Sequence, residues 1–213
     1  MATTARAAVQ ATYSFAGGTR AVTSQPANGS YGNISATLVT ADSTSGAFVT
    51  GGGANPWPTT TTAPTASTSS YLQYIITPNA GFQADLTSVS FSALTSTANN
   101  PTGIEVTAYV FFGGNFTTIR RAGTVSGIGT SAATQTITFG SGAGAGDGVT
   151  VTVRLYGYNL KNATSTLTLD DIATSTSTGG FTAVPEPINV ALALFGITFA
   201  GVGAGRKFLG RKS

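Results

Sequence analysis

The sequence predicts an all-β protein: an antiparallel, jelly-roll-like β-sandwich followed by a single transmembrane helix at the C-terminus. Three observations carry this expectation. Thr, which fills 38 positions, recurs with Val, Ile, Tyr and Phe in short runs broken by Gly, Asn, Ser and Pro, the composition of strands and turns. Several runs alternate with period two, as in Val89-Ser90-Phe91-Ser92 and Val149-Thr150-Val151-Thr152-Val153-Arg154-Leu155. Apolar side chains then fall on one face and hydroxyls or Arg on the other, the pattern of a sheet packed on one side and solvated on the other. Finally, residues 187–205 form a run of 19 without a charge, bounded on its far side by a basic cluster.

Taken in chain order, strands are predicted over residues 9–15, 34–40, 71–77, 87–94, 104–112, 117–125, 135–139, 149–157 and 166–172. Residues 50–70 contain Gly-Gly-Gly-Ala-Asn-Pro-Trp-Pro and a Thr/Ala/Ser tract. They read as one long loop inside a domain, because the strands before them are too few to fold alone. Residues 140–148 form a Gly/Ala/Ser loop carrying Asp147. It lacks both the Lys-Ser/Thr of a phosphate-binding loop and a following helix, which argues against nucleotide binding. No amphipathic helix longer than two turns precedes residue 187. The expected organisation is a sandwich over residues 8–173, a linker over 174–183 and a C-terminal unit over 184–213. Residues 1–7 stand outside it.

Composition excludes much chemistry. Cys and His are absent and only 8% of residues are charged, so there is no disulfide framework, thiolate nucleophile, Cys/His metal site, Ser-His-Asp triad or imidazole base. No cofactor and no metal are expected, and an enzyme is not. The net charge of +3 misleads when taken as a whole. Six basic and six acidic residues precede Val184, while four basic and one acidic follow. The body is neutral and has no surface for neutralising phosphates, which disfavours nucleic acid as a partner.

The tail has three parts in a fixed order. Val184-Pro185-Glu186-Pro187 is stiff and helix-excluding, since each Pro fixes φ and restricts its predecessor. The following 19 residues would make a helix of roughly 28 Å, close to the ~30 Å of bilayer hydrocarbon. Its eight strongly apolar residues favour insertion by roughly 2–5 kcal/mol in all, a marginal span suited to temporary anchoring. Arg206, Lys207, Arg211 and Lys212 follow at once and belong on the cytoplasmic side, which places the body on the other.

This triplet resembles the PEP-CTERM sorting signal of Gram-negative bacteria over residues 184–213. The resemblance implies an exosortase, an integral-membrane processing protease, as partner, with cleavage near Pro185–Pro187. It also implies an inner-membrane-anchored precursor, followed by residence at the cell surface, outer membrane or extracellular matrix. Family members are exported and associated with exopolysaccharide and biofilm matrices. A secretory leader is therefore expected. Residues 1–7 lack a charged segment followed by an apolar one, yet Ala5-Arg6-Ala7 has the Ala-x-Ala form of a cleavage site. The expectation is that they are the remnant of a signal peptide whose start lies upstream.

For the body, the leading expectation is a structural or adhesive role in an exopolysaccharide or biofilm matrix. The alternative is a carbohydrate-binding module, and a polysaccharide-active enzyme comes third. A sugar site in a sandwich needs exposed aromatic rings and polar side chains rather than an acid–base pair. Trp57, held between two prolines, is one candidate, with Tyr156, Tyr158 and Tyr31. The plainer reading, which weighs more, makes Trp57 a cap on the sandwich edge that anchors its loop, and the tyrosines core or strand-face residues. Glu105 lies on the face opposite Ile104 and Val106, either as a solvated glutamate or as half of a catalytic pair. Asp170-Asp171 reads as a strand end or an oxygen-rich cation site. Arg120-Arg121 reads as a solvated pair.

Overall fold

Alternation of buried and outward side chains builds two sheets whose apolar faces meet. The computed structural model describes residues 8–13, 29–32, 35–37, 40–41, 48–50, 61–65, 71–96, 103–140, 144–162, 165–176 and 182–183. Fourteen strands lie among them: β1 (Ala8–Tyr13), β2 (Gly29–Tyr31), β3 (Ser35–Thr37), β4 (Thr40–Ala41), β5 (Phe48–Thr50), β6 (Tyr71–Pro78), β7 (Phe82–Gln83), β8 (Leu86–Thr95), β9 (Ile104–Phe112), β10 (Arg121–Ile128), β11 (Ala133–Thr138), β12 (Val151–Tyr158), β13 (Leu167–Thr176) and β14 (Thr182–Ala183). One sheet has the order β11-β8-β13-β5-β4, with β1 also on β13. The second has the order β10-β9-β12-β6-β2, with β3 also on β6, and β14 pairs with β7 in a small third sheet. Every pairing is antiparallel. From β6 onward the long strands pass repeatedly between the two main sheets, which is the antiparallel sandwich the composition predicts.

The core lies between the sheets. Val89, Phe91, Ala93, Leu167, Leu169, Ile172 and Ile137 come from the first sheet; Leu72, Ile76, Val106, Ala108, Val110, Val153 and Leu155 come from the second. Each large aliphatic or aromatic residue buried here contributes about 1.5–3 kcal/mol. Tyr13 of β1 and Tyr74 of β6 meet across the layer with ring centroids 5.3 Å apart. Their hydroxyls do not go unpaired: Tyr74 shares a 2.8 Å hydrogen bond with Thr174 of β13, and Tyr13 donates to the Gly32 carbonyl at 2.8 Å. The sandwich is thus fastened through its centre by polar as well as apolar contacts.

Strand β13 needs a phase correction to do this. Leu167 and Leu169 face the core at odd positions, whereas Ile172, Thr174 and Thr176 are buried at even ones. A β-bulge between Asp170 and Ala173 inserts the extra residue. Asp171 takes φ 47° there, with the Asp170 carboxylate accepting its amide at 2.8 Å. On the strand's other edge, β5 pairs with Leu167–Leu169 and β1 with Ile172–Thr176, so the bulge also marks the change of partner.

Several expectations need correcting. Residues 170–171 are not a strand end; β13 runs on to Thr176, and β14 also lies inside the predicted linker. Thr174 and Thr176 are fully buried, so the Ser/Thr composition that suggests a linker is in fact strand. The strand expected over 117–125 begins at Arg121, because Asn115 accepts hydrogen bonds from the Thr117 amide and hydroxyl and closes a turn. Arg121 is not solvated: it reaches Asp85 at 2.7 Å and the Leu86 carbonyl, tying the edge of one sheet to the entry of the other. No helix among the described residues is long and apolar enough to cross a membrane. Residues 1–7, Val184, Pro185, Glu186, Pro187, Arg206, Lys207, Arg211 and Lys212 lie outside the described residues.

Replacing Tyr74 by Phe should lower the unfolding free energy by about 1–3 kcal/mol, since it strands the buried Thr174 hydroxyl. Urea denaturation checks this, and an unchanged midpoint would refute the cross-sheet role. At the bulge, Asp171→Gly should hold or raise stability, while Asp171→Val should cost about 1–2 kcal/mol because a β-branched residue resists positive φ.

Candidate functional site

The outer faces of the two main sheets differ. On the first sheet, register places Thr134, Ser92 and Asp170 in one row, Thr136, Ser90 and Ala173 in the next, and Thr138, Ser88 and Ser175 in a third. This face is built of short polar groups. On the second sheet the outward positions are Thr152, Arg154, Tyr156 and Tyr158 of β12, opposite Phe111, Tyr109, Thr107 and Glu105 of β9. Gln73 and Ile75 of β6 stand beside Arg154 and Thr152. Here, at one end, the outward face is aromatic.

It is also covered. All eight residues of β12 are buried, so both of its faces are occupied. Phe111 and Tyr156 are 0% exposed and Tyr109 8%. The expectation of a packed face and a solvated face therefore fails for β12. Two remote pieces supply the cover. The Tyr109 hydroxyl donates to the Pro64 carbonyl at 2.5 Å, bringing residues 61–65 over the sheet. Phe116, in the turn between β9 and β10, packs edge-on against Phe111 at 5.5 Å. Tyr156 lies between Tyr71 and Tyr109, with centroid distances of 5.7 and 5.4 Å.

Arg154 sits at the centre of this cluster. Its guanidinium carbon is 4.2 Å from the Tyr71 ring centroid, 4.0 Å from that of Phe116 and 5.3 Å from that of Phe111. Its Nε donates to the Gln73 side-chain oxygen at 2.7 Å. Ring faces and one amide thus hold a planar cation that is only 8% exposed. Tyr71, Gln73 and Phe116 remain half-exposed, and Ile75 is exposed. These form an open margin beside a buried floor of Arg154, Tyr156, Tyr109 and Phe111.

The Tyr156 hydroxyl is buried without a hydrogen-bond partner among the described residues. Burial raises its pKa, against a smaller lowering by the adjacent Arg154 guanidinium. The cation is therefore close enough to be felt both as a charge and as a donor turned toward the hydroxyl oxygen, although the contact falls short of a full hydrogen bond. Such an orphan is uncommon in a folded protein, because the desolvated group costs about 1–3 kcal/mol. Tyr109 and Tyr158 are raised as well, chiefly by burial. Tyr158 continues the face through Thr107, which hydrogen-bonds Thr124 at 2.7 Å and Tyr158 at 3.4 Å. Glu105, half-exposed, ends the row.

Of the sequence-predicted sugar-binding residues, Tyr156 and Tyr158 share this face, both buried in it; Trp57 and the Tyr31 side chain lie outside what the structure describes. Glu105 points outward as expected. Sequence reasoning missed Tyr71, Gln73, Tyr109, Phe111, Phe116 and Arg154 as a group. A signal was available for three of them, since Tyr109 and Phe111 share the parity of Glu105 on β9 and Arg154 alternates with Val153 and Leu155. The carboxylates are dispersed: Asp85 binds Arg121, Asp147 accepts the Gly81 amide at 2.6 Å, and Asp170 caps Asp171. Among the described residues no three potential metal ligands gather.

No protein-family model matches the chain, and no characterised relative is found by sequence. Similar solved structures include a carbohydrate-binding module CBM36 in complex with calcium and xylotriose, at 14% identity and TM-score 0.35, covering 67% of this chain and 92% of that one. Another is the N-terminal cellulose-binding domain of a Cellulomonas fimi β-1,4-glucanase C, at 19% identity and TM-score 0.32, covering 72% and 90%. A third is a family 11 carbohydrate-binding module from Clostridium thermocellum in complex with a β-1,3-1,4-mixed-linked tetrasaccharide, at 9% identity and TM-score 0.33, covering 78% and 96%. At such identities and TM-scores none of them speaks for this chain's ligand.

Tyr156→Phe should leave stability unchanged or raise it, as it removes an unpaired buried hydroxyl; thermal unfolding decides this, and a clear loss would reveal a hidden partner. The raised tyrosines also fix a pH dependence. With folded-state pKa values above the ordinary 10.0, the unfolded chain releases these protons first. Stability is then full below about pH 10 and falls as pH climbs through the tyrosine range. A denaturation midpoint that stays flat from pH 9 to 11 would contradict it.

Proposed function

We propose that the chain is a non-catalytic glycan-binding sandwich on an exported protein, holding polysaccharide against the outer face of β9, β12 and β6. The observation that carries this reading is the half-exposed margin of Tyr71, Gln73 and Phe116 beside a buried aromatic floor. Sugar rings present apolar C–H faces and a fringe of hydroxyls. They suit a site in which Tyr71 and Phe116 offer ring surface while the Gln73 amide offers polar atoms. A purely structural matrix role, the leading expectation from sequence, asks nothing of this face. The dispersed carboxylates give no support to hydrolysis, which needs two acids across one cleft.

Polysaccharide affinity electrophoresis and glycan arrays test the reading. Retention by at least one glycan is expected, weakened about tenfold, the equivalent of ~1.4 kcal/mol, in Tyr71→Ala. Binding that is absent throughout, or indifferent to Tyr71, overturns it.

We further propose that residues 184–213 are a sorting signal read by an exosortase. The support is the ordered Pro185-Glu186-Pro187 motif, uncharged span and basic end. Mass spectrometry of protein recovered from the host's envelope and medium should find the tail removed near Pro185–Pro187. Extracellular protein that still ends at Ser213 would reject processing.

A further inference from the structure

Resting on the reading of residues 184–213 as a sorting signal, we propose that β14, paired with β7, is a latch that withholds the chain from the processing protease while it is closed. Strand β13 ends at Thr176, and only residues 177–181 separate it from β14. There the chain is back in a sheet, with Thr182 opposite Gln83 and Ala183 opposite Phe82. The next residue is Val184, the first of the Val-Pro-Glu-Pro motif. A tether that only joined the body to a membrane would have no need of this return to an element far earlier in the chain. The return places the last paired residue directly against the motif.

Strand β7 is held independently of β14. The Asp147 carboxylate accepts the Gly81 amide at 2.6 Å, the Phe82 carbonyl accepts the Gly148 amide at 2.9 Å, and the Phe82 amide donates to the Asn79 carbonyl at 3.1 Å. The Phe82 side chain packs against the main core. The latch laid on this platform is the weaker part, since its strand is two residues long and so short a pairing is marginal in water. Such an element opens and closes while the rest of the body stays folded. A protease needs its substrate extended and unpaired, because recognition draws on main-chain N–H and C=O groups. A strand lying in a sheet presents one edge only, and a cleft that encloses the chain on both sides cannot take it. Pro185 stands two residues beyond Ala183, so the segment on the amino side of the cut is the latch itself. Where opening is fast relative to cutting, the cleavage rate follows the fraction of time the latch is open.

The test locks and unlocks β14 in the full chain, produced in its host and followed by pulse-chase. The protein has no cysteine, so Gln83→Cys combined with Thr182→Cys introduces one possible disulfide, at opposed positions of β7 and β14. Opposed residues of an antiparallel pair lie about 4.5–5.5 Å apart, within the span of that bond. Gel mobility without reductant separates the cross-linked fraction, and mass spectrometry reads the C-terminus of the exported protein. The cross-linked fraction should lose its tail at least about tenfold more slowly than the unaltered chain, while each single cysteine variant is processed as the unaltered chain is. Gln83→Pro, which takes an amide from β7 and leaves every residue of β14 and the tail in place, should lose the tail faster at a near-parental thermal midpoint. Cross-linked protein processed at the unaltered rate overturns the latch and leaves the sorting reading standing. So does a cysteine pair that fails to cross-link, which would put β14 away from β7. Unaltered extracellular protein that still ends at Ser213 overturns both.

Discussion

A strand buried on both sides has to satisfy two environments with one alternating set of side chains, and β12 lives under that constraint. Its edges are paired with β9 and β6, so its backbone is satisfied and only its side chains remain to be placed. The inner set, Val151, Val153 and Leu155, is aliphatic and closes the core. The outer set is Thr152, Arg154, Tyr156 and Tyr158. Each of these combines apolar surface with a polar tip, and such groups tolerate a cover without becoming part of an oily slab. A buried guanidinium is costly when left alone. Here ring faces and the Gln73 amide replace the water it gives up, and cation–π contacts of this kind reach about 2 kcal/mol when desolvated.

Only one sheet is built this way, and the difference traces back to the core. The first sheet is pinned by the Tyr74–Thr174 and Tyr13–Gly32 hydrogen bonds and by the bulge that turns Ile172 and Thr174 inward. With its stability supplied from inside, its outer face is left to short hydroxyl side chains. The second sheet receives a further layer instead, from Pro64 and Phe116, chain segments far from β12 in sequence. The outer cluster is separate from the main core and half-open at its margin. Among the described residues the Tyr156 hydroxyl under this layer meets only the nearby Arg154 guanidinium, short of a full hydrogen bond.

Much of the sandwich is legible in the sequence because the period-two pattern is a local consequence of the pleat. The strand expected over 104–112 coincides with β9; that over 71–77 falls one residue short of β6 at one end, and that over 87–94 one residue short of β8 at each end. Where composition competes with pattern, the reading slips. Residues 117–120 have strand-like composition, but the Asn115 side chain and the positive-φ pair Gly113-Gly114 turn the chain first. Residues 174–176 look like linker, yet two of the three point into the core. The site is less legible than the fold. Parity places Arg154, Tyr156, Tyr109 and Phe111 on outward positions, but nothing local announces that Pro64 and Phe116 will cover them. Arg121 shows the same limit, since its partner Asp85 lies 36 residues away.

Charge distribution connects the site to the rest of the chain. In a protein where only 8% of residues are charged, a single guanidinium in a desolvated aromatic setting outweighs the scattered surface charges, because its field is not screened by water at close range. The neutral body adds no steering of its own, and exposed charges beyond about 10 Å are largely screened at ordinary ionic strength. On the glycan-binding reading, discrimination among ligands would come from shape and hydrogen-bond direction on this face, not from attraction at a distance. Unlike a mobile Lys or Arg at the surface, Arg154 is held in a fixed plane by Tyr71, Phe116 and Gln73.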